Sequence, residues 1–183
     1  MRLATGILPL AVLCGALTAA DIPRTASALS INRLNGPPLE LSTYRGKVVA
    51  LTFIYTTCTH CQALTVTLNS LAAEYAPRGV QFVECAFNAD AETTMQQFLD
   101  RYHPPFPVGW ATDAIVRSFL QVSYIDTRPL YVPHMVFIDR AGMIRDDYRG
   151  EGDFFLKPEA NIRAELEKLL APKKPASAPP SHP

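Results

Sequence analysis

A run of apolar and β-branched residues leads directly into a closely spaced pair of cysteines. The run spans residues 48–55 and contains almost no polar side chain, which is typical of a β-strand buried on both faces of a sheet. The motif Cys-Thr-His-Cys follows at 58–61, and apolar residues then recur at helical spacing as far as residue 75. The sequence therefore predicts a strand that delivers Cys58 to the first turn of a helix.

The rest of the chain alternates between predicted strands and helices. Early strand–helix alternation indicates parallel crossovers, and the last two strands, joined by a short turn, indicate a hairpin. A mixed α/β sheet flanked by helices is expected, and 183 residues suffice for one such domain but not comfortably for two. Further strands are predicted at 80–87, 134–139 and 143–148, with helices at 59–75, 92–102, 114–120 and 158–170.

The two ends of the chain differ in composition from the middle. Residues 1–20 carry one charge, Arg2, in an otherwise apolar or small-residue stretch, which predicts a signal peptide or, if it stays uncleaved, a membrane anchor. Residues 21–33 are predicted as an irregular lead-in and 34–170 as the folded domain. Residues 171–183 include five prolines and are predicted as a disordered tail. The protein is thus expected to be exported to the periplasm or cell envelope.

Charge and cysteine content narrow the function classes. The chain has 17 basic and 17 acidic residues, which gives no electrostatic signature of nucleic-acid binding. Beyond residue 20 it has three cysteines, too few for a secreted scaffold held together by disulfides. Two of the three, Cys58 and Cys61, are therefore predicted to form a working dithiol, while Cys85, in the middle of a strand, is expected to be a buried inert thiol.

The predicted helix start gives the two cysteines different roles. Unpaired amide groups and the positive end of the helix dipole favour the thiolate at Cys58, and only a thiolate attacks a disulfide. Cys61 lies one turn further and can attack the resulting mixed disulfide. The intervening Thr59 and His60 are expected to tune the redox potential, since a protonated His60 would stabilise the thiolate. No cofactor is expected beyond the disulfide itself.

Two segments resemble the redoxins of the TlpA and ResA type. Residues 39–61 match the family's Arg-Gly-Lys-Val-Val strand that leads to its CxxC motif, and 132–139, followed by a glycine at 142, match its Val-Pro-x-x-Phe-Leu-Ile-Asp segment. The resemblance implies a thioredoxin fold with an N-terminal extension. It also implies that Pro133 is cis and lies against the active-site disulfide, with the Val132 backbone presented to an extended substrate. The implied partners are protein thiols or disulfides of the cell envelope, including those of cytochrome c maturation, and a membrane or periplasmic redox partner.

The chain departs from this family at positions that handle protons. Thr57 stands where a tryptophan usually precedes the first cysteine, and Thr52 stands where thioredoxins carry a buried acid. A proton relay for Cys61 would then need another carboxyl group, and the candidates are Asp90 and, less favoured, Glu84. The competing interpretation of Asp90 is that it only caps the following helix.

A copper chaperone is the main alternative. Residues 53–58 also resemble the strand that leads to the metal site of Sco-type copper chaperones, and Cys58, Cys61 and His134 would suit Cu(I). Sco proteins space their cysteines one residue further apart, and their distant histidine aligns with Tyr131 here.

Two other site types receive less support from the sequence. A zinc site would need the cysteine pair to be completed by His60, His103 or His134, and there is no second CxxC. A peroxiredoxin would need proline and threonine where this chain has Leu51 and Tyr55. Three aromatic residues are candidates for a substrate groove, although aromatic residues in such places more often serve core or loop packing: Trp110, Tyr124 and Tyr131.

Overall fold

A mixed β-sheet with helices on both faces is formed by the residues that the computed structural model describes, 22–123 and 129–172. Short 3-10 helices at Leu41–Tyr44, Ala76–Arg78 and Asp153–Leu156 connect some of the elements. The strands are β1 (Arg24–Thr25), β2 (Ser30–Ile31), β3 (Leu39–Glu40), β4 (Val48–Ile54), β5 (Val80–Ala86), β6 (Val108–Trp110), β7 (His134–Ile138) and β8 (Met143–Tyr148). The helices are α1 (Thr59–Tyr75), α2 (Ala91–Tyr102), α3 (Asp113–Leu120) and α4 (Pro158–Leu170).

The main sheet has the strand order β1-β8-β7-β4-β5-β6, so the strand that leads to the cysteines lies at its centre. β4, β5 and β6 are parallel, whereas β7 is antiparallel to β4 and pairs with β8 as a hairpin. β2 and β3 form a separate two-stranded sheet. The predicted mixed α/β sheet is confirmed.

Side chains of β4 alternate between two cores. Ala50 and Ile54 pack in the core that contains Cys61 and residues of α1, α2 and α4. Leu51 and Phe53 pack in the other core, which contains residues of α3 and of the N-terminal segment. Successive strand residues point to opposite faces of the sheet, and a core covers each face. Every residue of β4 is therefore buried, as the apolar run predicts.

Element bounds agree best where the sequence pattern is longest. α1, α4 and β8 begin and end at the predicted residues. β6 was not predicted, because it has only three residues and follows a proline-rich stretch. The N-cap of α3 is Thr112, whose hydroxyl accepts a hydrogen bond from the Ile115 amide at 3.3 Å.

The predicted irregular lead-in contributes to the sheet and the core. Arg24 and Thr25 pair with Ile144 and Met143 of β8, and Leu29 is buried. Gly109 allows this segment to approach β6, since a Cβ there would lie 2.0 Å from the Asn32 carbonyl oxygen. β1 and β2 have two residues each and carry no detectable periodicity, and for this reason the sequence did not predict them.

The predicted signal segment, Tyr124 and most of the proline-rich tail lie outside the described residues. Within the described ranges, no helix combines the length and the apolar character needed to span a membrane.

Candidate active site

Cys58 lies between the end of β4 and the start of α1. It is the N-cap of α1, with extended backbone angles (φ −78°, ψ 120°), and its amide donates to the Tyr55 carbonyl at 3.1 Å. The Cys58 sulfur accepts a hydrogen bond from the Cys61 amide at 3.4 Å. Cys58 is only partly buried, so it combines solvent access with a place at the amide-rich end of a helix.

A hydrogen-bond network holds the turn that precedes Cys58. The Thr56 amide donates to Asn88 Oδ1 at 3.0 Å, and Asn88 Nδ2 donates to the Thr56 hydroxyl at 2.9 Å. The Thr56 hydroxyl also lies 2.7 Å from the Thr94 hydroxyl, and Gln62 Nε2 donates to the Thr56 carbonyl at 2.8 Å. The sequence analysis missed Asn88 and Thr94, because nothing local shows that the loop after β5 folds against the loop after β4.

Cys61 differs sharply from Cys58 in its surroundings. It has no exposed surface, and burial raises the pKa of its thiol well above the ordinary value, with a further increase from a hydrogen bond with Cys58. The pair therefore combines an accessible sulfur at the helix end with a buried thiol that keeps its proton. This asymmetry suits a nucleophile and a resolving thiol.

A carboxyl group is buried on the same side of the sheet as Cys61. Glu84 lies on β5 beside Thr52 of β4, and Thr65 Oγ1 lies 2.9 Å from Glu84 Oε1 and 3.1 Å from the Cys61 carbonyl oxygen. Burial raises the pKa of Glu84 to about 8, and the Thr65 hydrogen bond opposes this rise. Glu84 Oε2 and the Thr52 hydroxyl are both buried without a hydrogen-bond partner among the described residues. The negative charge of Glu84 also acts on Cys61, whose pKa it raises.

Asp90 occupies a different place from the one expected of a proton relay. It is exposed and accepts a hydrogen bond from Asn88 Nδ2 at 2.8 Å, and its side chain makes no capping bond to α2. Its contact with the site is indirect, through the network that holds Thr56. Of the two candidate carboxyl groups, Glu84 is therefore the buried one and Asp90 the exposed one.

The segment before β7 lies against the N-terminal part of α1. The Val132–Pro133 peptide bond is cis, as the resemblance implied. Gly150 packs against this segment so closely that a Cβ there would lie 2.8 Å from the Val132 carbonyl oxygen. Pro133 and His60 line the same groove, which places the proline loop next to the helix turn that carries the cysteines.

Comparison with known proteins agrees with this geometry. The family model for Redoxin matches residues 20–165 of the chain. The chain belongs to the redoxin family. It is 27% identical over 163 residues to the thiol–disulfide oxidoreductase ResA of Bacillus thuringiensis subsp. konkukian, covering 82% of this chain and 89% of that protein. It is 32% identical over 111 residues to ResA of Halalkalibacterium halodurans, covering 61% and 58%.

A solved structure supports the fold. The thiol:disulfide interchange protein of the thioredoxin family from Chlorobium tepidum TLS superposes on this redoxin with a TM-score of 0.67 at 23% identity, covering 84% of this chain and 100% of that chain. The expected thioredoxin fold and the resemblance to ResA-type redoxins are confirmed, as is the prediction of a thiol–disulfide oxidoreductase with a Cys58–Cys61 pair.

His134 of the redoxin lies on the opposite face of the sheet from Cys61. Its ring packs edge-on against Phe53, and its Nε2 lies 2.6 Å from Asp147 Oδ1. The side chain is 1% exposed. The ligand set of the copper alternative is therefore not brought together, and no group of three His, Cys, Asp or Glu side chains within the described ranges could hold a metal ion.

The remaining candidate residues have simple placements. Cys85 is fully buried, burial raises the pKa of its thiol, and its sulfur lies 3.8 Å from the Ala86 carbonyl oxygen. Trp110 is half-buried on β6 at the edge of the sheet, and Tyr131 is exposed. Thr57 and Thr59 are exposed on either side of Cys58.

Proposed function

We propose that this redoxin is an exported enzyme that exchanges a Cys58–Cys61 disulfide with thiols or disulfides of proteins in the cell envelope. The observation that carries the proposal is the partly exposed Cys58 sulfur at the N-cap of α1, with the buried Cys61 thiol one turn further on. No cofactor is needed, because the two electrons and two protons are exchanged between dithiols and disulfides.

The reaction has two steps. The Cys58 thiolate attacks one sulfur of a substrate disulfide, so that a mixed disulfide forms and one substrate thiolate leaves and takes up a proton. Cys61 then loses its proton and attacks the Cys58 sulfur, which forms the Cys58–Cys61 bond and releases the second substrate thiolate. The substrate gains two electrons and the enzyme dithiol loses two. The reverse sequence oxidises a substrate dithiol.

The second step needs a base, and Glu84 is the group we assign to it. The carboxyl group is buried on the face of the sheet that Cys61 occupies, is linked to the first turn of α1 through Thr65, and keeps an unpartnered oxygen. Since the pKa of Glu84 is about 8, its carboxylate form becomes available as the pH rises through that value. In the reverse reaction the protonated Glu84 returns the proton to the Cys61 sulfur.

Residues near the thiols bind the substrate or tune the redox potential. The backbone of Val132, held beside cis-Pro133, pairs with an extended substrate segment. His60 and Thr59 lie between the cysteines, where a protonated His60 stabilises the Cys58 thiolate and makes the disulfide more oxidising. A His60→Ala variant is therefore expected to have a lower reduction potential than the parent, measured in glutathione redox buffers.

Cysteine variants test the proposed function. Cys58→Ser is expected to abolish reduction of protein disulfides such as those of insulin, and Cys61→Ser to accumulate mixed disulfides through Cys58. Cys85→Ala is the matched control and is expected to retain activity, because that thiol is buried away from the pair. Activity that survives in both Cys58→Ser and Cys61→Ser contradicts the proposal. The reduction potential assigns the direction of transfer, about −270 mV for a reductant and about −120 mV for an oxidant.

The cellular location is tested separately. The chain from Met1, produced in a bacterial host, is expected in the envelope fraction, either cleaved after residue 20 or anchored by residues 1–20. A full-length chain that stays in the cytoplasmic fraction contradicts export but not the thiol chemistry.

A further inference from the structure

A groove of about 360 Å³ is lined in part by His60, which lies between Cys58 and Cys61 in the chain. One wall is the outer face of the first turns of α1, including His60 and Ala63, and the floor includes Pro133. The opposite wall is the segment from residue 150 to residue 158, between β8 and α4. A substrate segment joined to Cys58 and lying along the proline loop would run past this groove.

The wall formed by residues 150–158 is anchored and presents an apolar side chain outward. Phe154 of the 3-10 helix is buried and stacks on Tyr148, with ring centroids 3.9 Å apart. Phe155 packs edge-on against Phe154, at 5.2 Å between centroids, and contributes to the groove. Leu156, at the end of the same helix, is 77% exposed. An isolated exposed leucine is ordinary, but here Leu156 and Phe155 form an apolar surface in the groove that His60 and Pro133 also line.

The same wall carries two acidic side chains. Glu151 and Asp153 line the groove and are exposed, and neither has a hydrogen bond or ion pair with a described residue. Among the described residues that line the groove, none is a lysine or an arginine. The complementary ligand is therefore positively charged as well as apolar.

The position of this wall relative to the cis-proline loop is set by close backbone packing. Gly150 lies against the Val132 carbonyl, so the acidic and apolar wall begins beside the proline loop. Pro133 and the wall line the same groove.

We propose that this groove selects the substrate: it binds an extended cysteine-containing protein segment that carries a large apolar side chain and a lysine or arginine close to its cysteine. The inference rests on the proposed disulfide exchange at Cys58 and adds the chemical class of the partner. Glu151 and Asp153 attract the cation, and Phe155 and Leu156 contact the apolar side chain.

Short peptides that carry one cysteine as a mixed disulfide with 2-thiopyridine test the proposal. Attack by the Cys58 thiolate on the peptide sulfur breaks the mixed disulfide, joins the peptide to Cys58 and releases 2-thiopyridone, whose absorbance gives the rate. Four peptides combine Leu or Ser with Lys or Glu beside the cysteine. At low salt, the Lys peptides are expected to react about three- to tenfold faster than the Glu peptides, and the Leu peptides about threefold faster than the Ser peptides.

Substitutions of the groove residues test whether the groove itself causes these differences in rate. Glu151→Lys combined with Asp153→Lys is expected to invert the ratio of Lys-peptide to Glu-peptide rates, and 0.5 M NaCl to reduce that ratio towards one in the parent. Leu156→Ser is expected to remove most of the preference for Leu while the preference for Lys remains. The matched control, Glu40→Lys combined with Asp100→Lys, makes the same change in net charge on elements that do not line the groove, and is expected to leave both ratios unchanged.

Two negative outcomes are distinguishable. Equal rates for all four peptides, with normal reaction of the neutral reagent 2,2′-dithiodipyridine, overturn the selectivity of the groove and leave the proposed function standing. Failure of dithiodipyridine and of every peptide to oxidise the Cys58–Cys61 pair overturns the proposed function as well.

Discussion

Two buried sets of ionisable side chains lie on opposite faces of the same sheet, and they are built differently. On the face of Cys61, Glu84 receives one hydroxyl hydrogen bond, from Thr65, and has no ion pair with a described residue. On the other face, His134 is hydrogen-bonded to Asp147, which in turn lies 3.9 Å from Arg24 Nη2. Glu84 is buried without an opposite charge, whereas Asp147 is half-buried and contacts two basic side chains.

The comparison shows what a nearby basic group changes. A carboxyl group without one can exchange a proton near neutral pH, whereas a carboxyl group with one can link strands. A carboxyl group without a counter-charge is easier to protonate, and burial accordingly raises the pKa of Glu84 to about 8. Its proton can then be exchanged close to neutral pH, at a cost in stability. The contacts of Asp147 with His134 and Arg24 instead link β8 to β7 and β1, so this cluster holds strands together.

The largest expected effect is on stability at high pH. Glu84 has a higher pKa folded (about 8) than its ordinary 4.5, so its ionisation destabilises the fold progressively as the pH rises from 4.5 to 8. Glu84→Gln cannot ionise and is expected to be more stable than the parent by about 2–4 kcal/mol at pH 9 and nearly equal to it at pH 4. Urea unfolding of the reduced proteins at both pH values measures this. If the difference in free energy of unfolding between Glu84→Gln and the parent is the same at all pH values, the Glu84 carboxylate is not buried without a compensating charge. The same conclusion follows if that difference is as small as the one produced by the exposed control Glu92→Gln.

The second prediction concerns the opposite face. Asp147→Ala leaves Arg24 and His134 buried without their acid and is expected to destabilise the protein by about 2–3 kcal/mol at pH 7, while the rate of disulfide exchange is retained. Thermal and urea unfolding, with insulin reduction as the activity readout, test both parts. Asp113→Ala, which removes the exposed partner of Arg117, is the control and is expected to cost less than about 1 kcal/mol. Loss of activity in a folded Asp147→Ala protein would show that the two faces are not independent.

The third prediction concerns the rate of the step that Glu84 assists. Resolution of a mixed disulfide by Cys61 is expected to accelerate in the parent as the pH rises through about 8, and Glu84→Gln to lose this acceleration, so that it is about tenfold slower at pH 9. Stopped-flow mixing of the reduced protein with a substrate disulfide, with separate recording of the first and second thiol released, isolates the step. An unchanged pH profile in Glu84→Gln eliminates the carboxyl group as the base.

The smallest expected effect concerns the hydrogen bond from Thr65 to Glu84. The hydrogen bond from Thr65 lowers the pKa of Glu84, so Thr65→Val is expected to move the midpoint of the rate profile upward by about half a pH unit. The same stopped-flow profile measures it. Thr67→Val is a matched control on the same helix, because the Thr67 hydroxyl bonds only to the Ala63 carbonyl. A midpoint that moves downward, or equally in both variants, contradicts the role given to Thr65.

Prediction from sequence succeeded where a pattern is long or a motif is local. The strand before the cysteines, α1, α4 and the β7–β8 hairpin follow from periodicity and turn residues that are close in the chain. The burial of Glu84 and the exposure of Asp90 could not be predicted from the sequence, because side-chain depth depends on which strands become neighbours. Glu84 is buried only because β5 lies beside β4 and beneath α1.

The sequence by itself determined the reactive pair and its local setting: an apolar strand, a turn and a helix start place Cys58 at a helix end because all three features lie within about thirty consecutive residues. Only the tertiary structure decided what surrounds the pair. Glu84, Asn88 and the groove from Gly150 to Leu156 reach the site from distant parts of the chain. The physical reason is that burial, hydrogen bonding and charge depend on neighbours in space, which a pattern along the chain does not specify.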